Sequence, residues 1–227
     1  MGLNAGGATS AAASFYLPLP RVLKALHALQ NGLPVRRGTL RCVFQFHTFD
    51  EVRRLGLSKD TEARVRSQSK ALQGMLVVSE IVPGGSAENV LQVGDVLIDI
   101  ENRLSSLKEN LFEDLEDELD LNAPCSRSGT SAGCINLLIS RGGDETSVSL
   151  PVEDLHSITP SELLEAGGAS VHQVSYQAAR NWNLRVGTGV FVAWNGFVLD
   201  NAGLSADVVI THVNTTETPT LEAFLSA

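Results

Sequence analysis

Catalysis needs a nucleophile, a base, a set of metal ligands or a backbone cradle, and the chain offers fragments of each. Gly129-Thr130-Ser131-Ala132-Gly133 has the Gly-x-Ser-x-Gly form of a nucleophile elbow, which works only where a strand turns sharply into a helix. Here it ends a Ser/Gly-rich run, Pro124 to Gly133, between a predicted helix and a predicted strand, so it reads as loop. His27, His47, His156, His172 and His212 are single and far apart, without the spacing of a ligand pair or of a base beside a nucleophile. Glu113-Asp114 and Glu116-Asp117-Glu118 carry hard oxygen ligands, but helical spacing scatters them over a solvated face. Gly187-x-Gly189 is too short for a phosphate loop. Cys42, Cys125 and Cys134 show no Cys-x-x-Cys or Cys/His ligand spacing and read as a reducing, intracellular setting. Cys125 and Cys134 bracket the polar loop and are placed to close a redox-sensitive disulfide. No catalytic residue, metal ligand or cofactor is expected.

The main chain is more promising. Leu72, Gln73 and Gly74 lead into an apolar run, Met75-Leu76-Val77-Val78. A strand that begins at a glycine beside an amphipathic helix leaves a groove between the two. The N–H and C=O groups from Met75 to Ser79 would pair with an added strand. Amides near Gln73 and Gly74 would form a nest for its terminal carboxylate. Leu111, Phe112 and Leu115, on one face of the predicted helix, would shape a pocket for the last side chain.

The elements that position this groove follow from periodicity. The Gly/Ala/Ser-rich start, 1–15, cannot supply a core and is expected to be loose or borrowed. Phe15 to Leu19 reads as a strand and Pro20 to Gln30 as a helix ended by Asn31-Gly32. Alternation of Leu40, Cys42, Phe44 and Phe46 predicts a strand over 39–46. A helical turn (49–57), a polar loop or solvated helix (58–73), and strands at 75–82 and 96–100 follow. Ser106-Leu107-Lys108-Glu109 has the capping-box form and opens a helix to about Leu121. Strands at 135–140 and 146–152 are joined by Arg141-Gly142-Gly143-Asp144, a hairpin turn.

After a helical spacer, 160–165, the order restarts. Ser170 to Val174 repeats the strand at 39–46, and Tyr176 to Leu184 repeats Phe49 to Leu57. Gly189-Val190-Phe191-Val192 corresponds to Gly74-Met75-Leu76-Val77, and Leu204 to Ile210 echoes Leu91 to Leu97. A helix from Pro219 to Ser226 ends the second copy without the closing strands of the first. Two copies of one unit are the most informative feature of the chain.

Composition bounds the rest. The chain has 227 residues, 43% hydrophobic and 19% charged, with net charge −9. That is enough apolar sequence for a core, against global disorder. No run approaches the roughly 18–20 apolar residues of a membrane helix, and the start lacks a secretory signal pattern. Residues 1–75 carry eleven Lys/Arg and four Asp/Glu, the rest six and twenty-two. The basic residues interleave with apolar ones, as in Arg21-Val22-Leu23-Lys24, which is the pattern of helix wet faces. With only 5% aromatic residues for base stacking, nucleic-acid binding is not expected.

Gly74-Met75-Leu76-Val77, Val82-Pro83-Gly84-Gly85-Ser86-Ala87 and Gly94-Asp95-Val96-Leu97-Ile98-Asp99-Ile100-Glu101-Asn102 together resemble the PDZ domain of HtrA/DegP-type serine proteases. Residues 169–227 resemble a second, degenerate copy, with Ala206 where the family has the glycine that Gly94 matches. Leu3-Asn4-Ala5-Gly6-Gly7, Phe15-Tyr16-Leu17-Pro18-Leu19, Arg36-Arg37-Gly38-Thr39-Leu40, Asp50 to Leu57 and Asp154 to Pro160 resemble its large multi-PDZ branch, of plant chloroplast and fungal nuclear, pro-apoptotic type. The resemblance implies an α+β chain of tandem PDZ-like domains, each a small sheet or partial barrel capped by helices, the second truncated. It implies four parts: 1–37, the remnant of a trypsin-like β-barrel with a linker helix; 38–153, the first PDZ-like domain; 154–168, a linker; 169–227, the second. Peptide recognition for proteolysis and protein quality control follows, with C-termini or extended segments of substrates as partners and self-association of the full protease. The Ser-His-Asp template would lie upstream of Met1, and the chain alone is expected to be inactive. The alternatives are a PDZ adaptor or an assembly spacer without peptidase activity. The compartment implied is chloroplast or nucleus.

Overall fold

The computed structural model describes residues 2–8, 13–68, 72–100 and 133–227. They fall into two compact units, 1–37 and 38–227.

In the first unit β1 (Gly2–Ala8) pairs antiparallel with β2 (Ala13–Pro18), with a register slip between Asn4 and Gly6. The expectation of a loose start is corrected here, because a hairpin draws on backbone groups that glycine and alanine carry as well as any residue. α1 (Leu19–Gln30) follows. Pro20 sits in its first turn, where no N–H is missed, and Gly32, at φ 66°, turns the chain off its end.

The second unit opens with β3 (Gly38–Thr39) and β4 (Cys42–Thr48). The predicted strand over 39–46 is broken at Arg41, which has φ 52°. α2 (Phe49–Arg54) starts at Thr48, whose N–H and hydroxyl both donate to the Glu51 carboxylate, at 2.8 and 2.9 Å. α3 (Lys59–Gln68) is tied to α2 through Glu62, which accepts Arg53 Nε and Nη2 at 2.6 and 2.7 Å and Arg66 Nε at 2.7 Å.

β5 (Gly74–Ile81), β6 (Val96–Ile100), β7 (Cys134–Arg141) and β8 (Asp144–Pro151) complete an antiparallel sheet in the order β4-β5-β6-β7-β8. Gly142 and Gly143 both have positive φ, 60° and 103°, and close the predicted β7–β8 hairpin. β9 (Glu153–Asp154) pairs with β3. The core of this half is built from Phe44, Phe49, Val52, Met75 to Val78, Val96 to Ile98, Leu137, Ile139 and Leu150.

The second sheet has the order β10-β11-β12-β13, from β10 (Leu164–Ala166), β11 (Ala169–Gln173), β12 (Val190–Trp194) and β13 (Val209–Ile210). α4 (Tyr176–Trp182) lies between β11 and β12, and α5 (Gly196–Asn201) follows β12. β14 (His212–Val213) pairs with β15 (Thr216–Glu217), and α6 (Leu221–Ser226) closes the chain. The helical spacer expected over 160–165 is corrected: its end forms β10. A third apolar cluster joins the halves, Val82 of the first packing with Leu155, Val174, Tyr176, Ala179 and Phe191.

Candidate functional site

Peptide capture on a sheet needs an edge. The edge expected from Met75 onward is already used. Over β5, β4 pairs at Cys42↔Ile81, Val43↔Glu80, Phe44↔Val78, Gln45↔Val77, Phe46↔Leu76, His47↔Met75 and Thr48↔Gly74. On the other side Val77 pairs with Val96, Val78 N–H donates to Asp95 O at 2.9 Å, and Gly94 N–H donates to Val78 O at 2.9 Å. Both edges of β5 therefore serve the chain's own sheet, and the expectation of unpaired groups there is corrected.

Gly74 shows why the sequence misleads. A Cβ at Gly74 would strike the His47 carbonyl and the Phe46 ring. The glycine admits β4, not a foreign chain. Leu72, Gly74, Met75, Leu76 and Val77 are all buried, and Gln73, though exposed, accepts the Phe49 N–H at 3.2 Å. Leu111, Phe112 and Leu115 lie outside the described residues, as do Ser131, the acidic run 113–118 and the predicted helix that carries them.

Among the described residues β4 is the end strand of the sheet. The Phe49 N–H bond to Gln73 sets the alternation along the ladder. Gln45 and His47 turn their N–H groups toward β5, and Phe46 turns its own outward. Phe46 is 37% exposed, unlike Phe44 at 4%.

What leaves this strand terminal is the path of the residues before it. Thr39 Oγ1 accepts the Arg41 N–H at 3.2 Å, and Arg41 O accepts the Val82 N–H at 2.9 Å. The Arg41 guanidinium bonds Glu153 at 2.6 Å and donates to Gly84 O at 3.1 Å. The left-handed turn at Arg41 thus sends β3 away from β4 and onto β9.

Asp95 anchors the far side. It is 1% exposed and takes Arg141 in a bidentate grip, Nε at 2.8 Å and Nη2 at 2.6 Å, while accepting the Gln92 N–H at 2.8 Å. The hydrogen bond to Asp95 raises the Arg141 pKa. Asp99 is also buried, with Oδ1 lacking a hydrogen-bond partner among the described residues, and burial pushes its carboxyl up.

The second sheet repeats the arrangement with shifted equivalences. Val192 N–H donates to Val208 O and Asp207 N–H donates to Val192 O, both at 2.9 Å, the pair of bonds made by Val78 in the first sheet. Val192 thus matches Val78. Asp207, at φ 63°, matches Gly94 at φ 95°, so Ala206 is not the counterpart of Gly94. Val208 stands where Asp95 does, without an ion pair.

The histidines remain dispersed. His27 bonds the Asn31 side chain, His172 stacks at 5.3 Å from Phe191, and His47 and His212 each approach one glutamate. Among the described residues no cluster of three His, Cys, Asp or Glu side chains forms. Cys134 is disulfide-bonded, its partner lying outside the described residues. No helix among the described residues is long and apolar enough to cross a membrane.

Comparison with known proteins gives matches of three kinds: a family, curated relatives and a solved structure. The PDZ-like domain family matches residues 157–227, the half with the smaller sheet. Protease Do-like 7 of Arabidopsis thaliana is 41% identical over 222 residues, 93% of this chain and 19% of that protein. The pro-apoptotic serine protease NMA111 of Chaetomium globosum is 40% identical over 227 residues, 98% of this chain and 20% of that protein. The chain thus spans about a fifth of the length of these relatives. The HtrA-type protease AlgW with decapeptide aligns at TM-score 0.43 and 18% identity, over 67% of this chain and 41% of that structure.

Proposed function

For a chain related over most of its length to the PDZ-like region of HtrA-type serine proteases of the Protease Do-like 7 and NMA111 kind, we propose that residues 38–153 capture extended peptide by strand addition along the outer edge of β4. The observation that carries this reading is the position of β4 at the end of a five-stranded sheet, with Phe46 exposed on it. An edge strand offers a row of main-chain groups that reads shape rather than sequence. A peptide antiparallel to β4 would end beside Leu40 and Arg41, so a terminal carboxylate would meet the Arg41 turn. Met75, Leu76 and Val77 would act behind this edge, as the buried strand that holds β4 flat. Leu111, Phe112 and Leu115 stay in the proposal as the pocket wall opposite.

Within a longer protease, this region would hold C-termini or extended segments of substrates for a catalytic domain that carries the Ser-His-Asp groups. On the same proposal β1, β2 and α1 are the end of that trypsin-like domain, 38–227 is a tandem of PDZ-like units, and the compartment is chloroplast or nucleus, as the relatives' branch suggests.

The test is fluorescence anisotropy of the full chain with a library of peptides bearing free apolar C-termini. Saturable binding is expected, weakened at least tenfold by Phe46→Pro, which removes the outward N–H while leaving the β5 ladder bonds. Absence of saturable binding across the library overturns the proposal. So does binding that Phe46→Pro leaves unchanged.

A further inference from the structure

We infer that the second PDZ-like unit already holds a peptide strand, its own linker: β10 occupies the strand-accepting groove between β11 and α6. β11 is the counterpart of β4. Each directly precedes the helix that starts at an aromatic residue (Phe49, Tyr176), and each pairs with the strand carrying the matched Val78 or Val192. β4 ends its sheet. β11 does not, because β10 pairs with it antiparallel at Leu164↔Val171, Glu165↔Ser170 and Ala166↔Ala169.

Three features make β10 a ligand in place. Leu164 packs against the cluster of Val171, Val190, Val192 and Leu221, on which Phe224 of α6 also packs, as a ligand side chain fills a groove pocket between strand and helix. Gly167 and Gly168, both left-handed at φ 56° and 79°, make the two-residue turn that folds β10 back onto β11. That turn is fastened to α5: Gly167 O accepts the Phe197 N–H at 3.1 Å, and a Cβ on Gly167 would run into Val198.

Ahead of β10 the linker from Ser157 to Glu162 borders a cleft of about 370 Å³, with Gln173, Val174 and Leu221 on its other sides. At the other end the Gly167-Gly168 turn fills the place where a ligand's terminal carboxylate would sit. In the first half the equivalent residues take the other path, because the Arg41–Glu153 pair draws β3 to β9.

The ligand class this groove accepts is an antiparallel strand with an aliphatic side chain, and in the intact chain it is closed to outside peptides. The inference shares with the proposed function only the chemistry of strand addition and does not need β4 to bind.

The test uses the full chain, the Leu164→Asp and Ala166→Pro variants, and a labelled peptide of sequence 160–166 as probe, with hydrogen exchange at Val171 reporting docking and at Val190 reporting the fold. Wild type is expected to bind the probe at least tenfold more weakly than a variant whose β10 is released. The probe should restore Val171 protection, and Leu164→Ile should behave as wild type. Equal binding by wild type and variants overturns the inference. So does a folded, released variant that takes no probe, or Val171 protection that persists in both variants. If both variants expose Val190, β10 is part of the fold rather than a bound strand, and the inference is equally lost. The peptide site at β4 is read separately, through Phe46→Pro, so either proposal fails without the other.

Discussion

At the residue scale, two buried acids fix the geometry. Asp95 holds the loop ahead of β6 by taking Arg141 with two hydrogen bonds while receiving a backbone N–H. Asp95→Ala leaves the guanidinium without its counter-charge and frees the Gln92 amide, so it is expected to cost about 3 kcal/mol, read as a lower midpoint in urea unfolding. Glu62 joins α2 to α3. Its hydrogen bonds to Arg53, then to Arg66, bring its pKa from an ordinary 4.5 down to about 2, against the opposing effect of burial. A depressed folded pKa means the unfolded state binds the proton first as the pH falls. The stability Glu62 contributes is therefore full above 4.5 and lost as the pH drops toward 2. Melting temperatures measured between those pH values should fall less steeply for Glu62→Gln than for wild type. A parallel slope in the two proteins would show that Glu62 is not the titrating group.

At the element scale, two strands of similar place go to different partners. β3 runs to β9 because Arg41 turns left-handed and reaches Glu153. Arg41→Ala should release β3, speeding amide exchange at Thr39 at least tenfold and costing about 1–2 kcal/mol for the charge-assisted bond. Unchanged exchange would mean the β3–β9 ladder stands without the ion pair. Neither path was legible in the sequence. Alternation of Leu40, Cys42, Phe44 and Phe46 runs straight through the break, since a period of two marks which face is buried and says nothing of where the chain bends. Residues 160–165 carry Glu and Leu, good helix formers, but a waiting sheet edge outweighs intrinsic preference of this size. By contrast α1, β6 and the β7–β8 hairpin were legible, because proline, a buried run and a Gly-Gly turn are local instructions, while the capping box read at Ser106 lies outside the described residues.

At the scale of the whole molecule, 38–227 behaves as one compact body with a core in each half and a third cluster between them. Tyr176, 5% exposed in that cluster, packs with Val82 from the first half. Tyr176→Ala is expected to cost about 3 kcal/mol and to split a single calorimetric transition into two, the second-sheet half melting first. One transition in the variant would place the coupling elsewhere. The sequence by itself determined the locally signalled elements, the repeated order of strands and the resemblance to HtrA-type proteases, because each rests on patterns of side chains along the chain. Which edge ends each sheet was decided only in three dimensions. Backbone N–H and C=O groups are the same at every residue, so nothing in Met75 or Leu164 records whether another strand already lies beside it. That is why the edge expected at Met75 proved paired, β4 proved terminal, and a linker proved to be a strand.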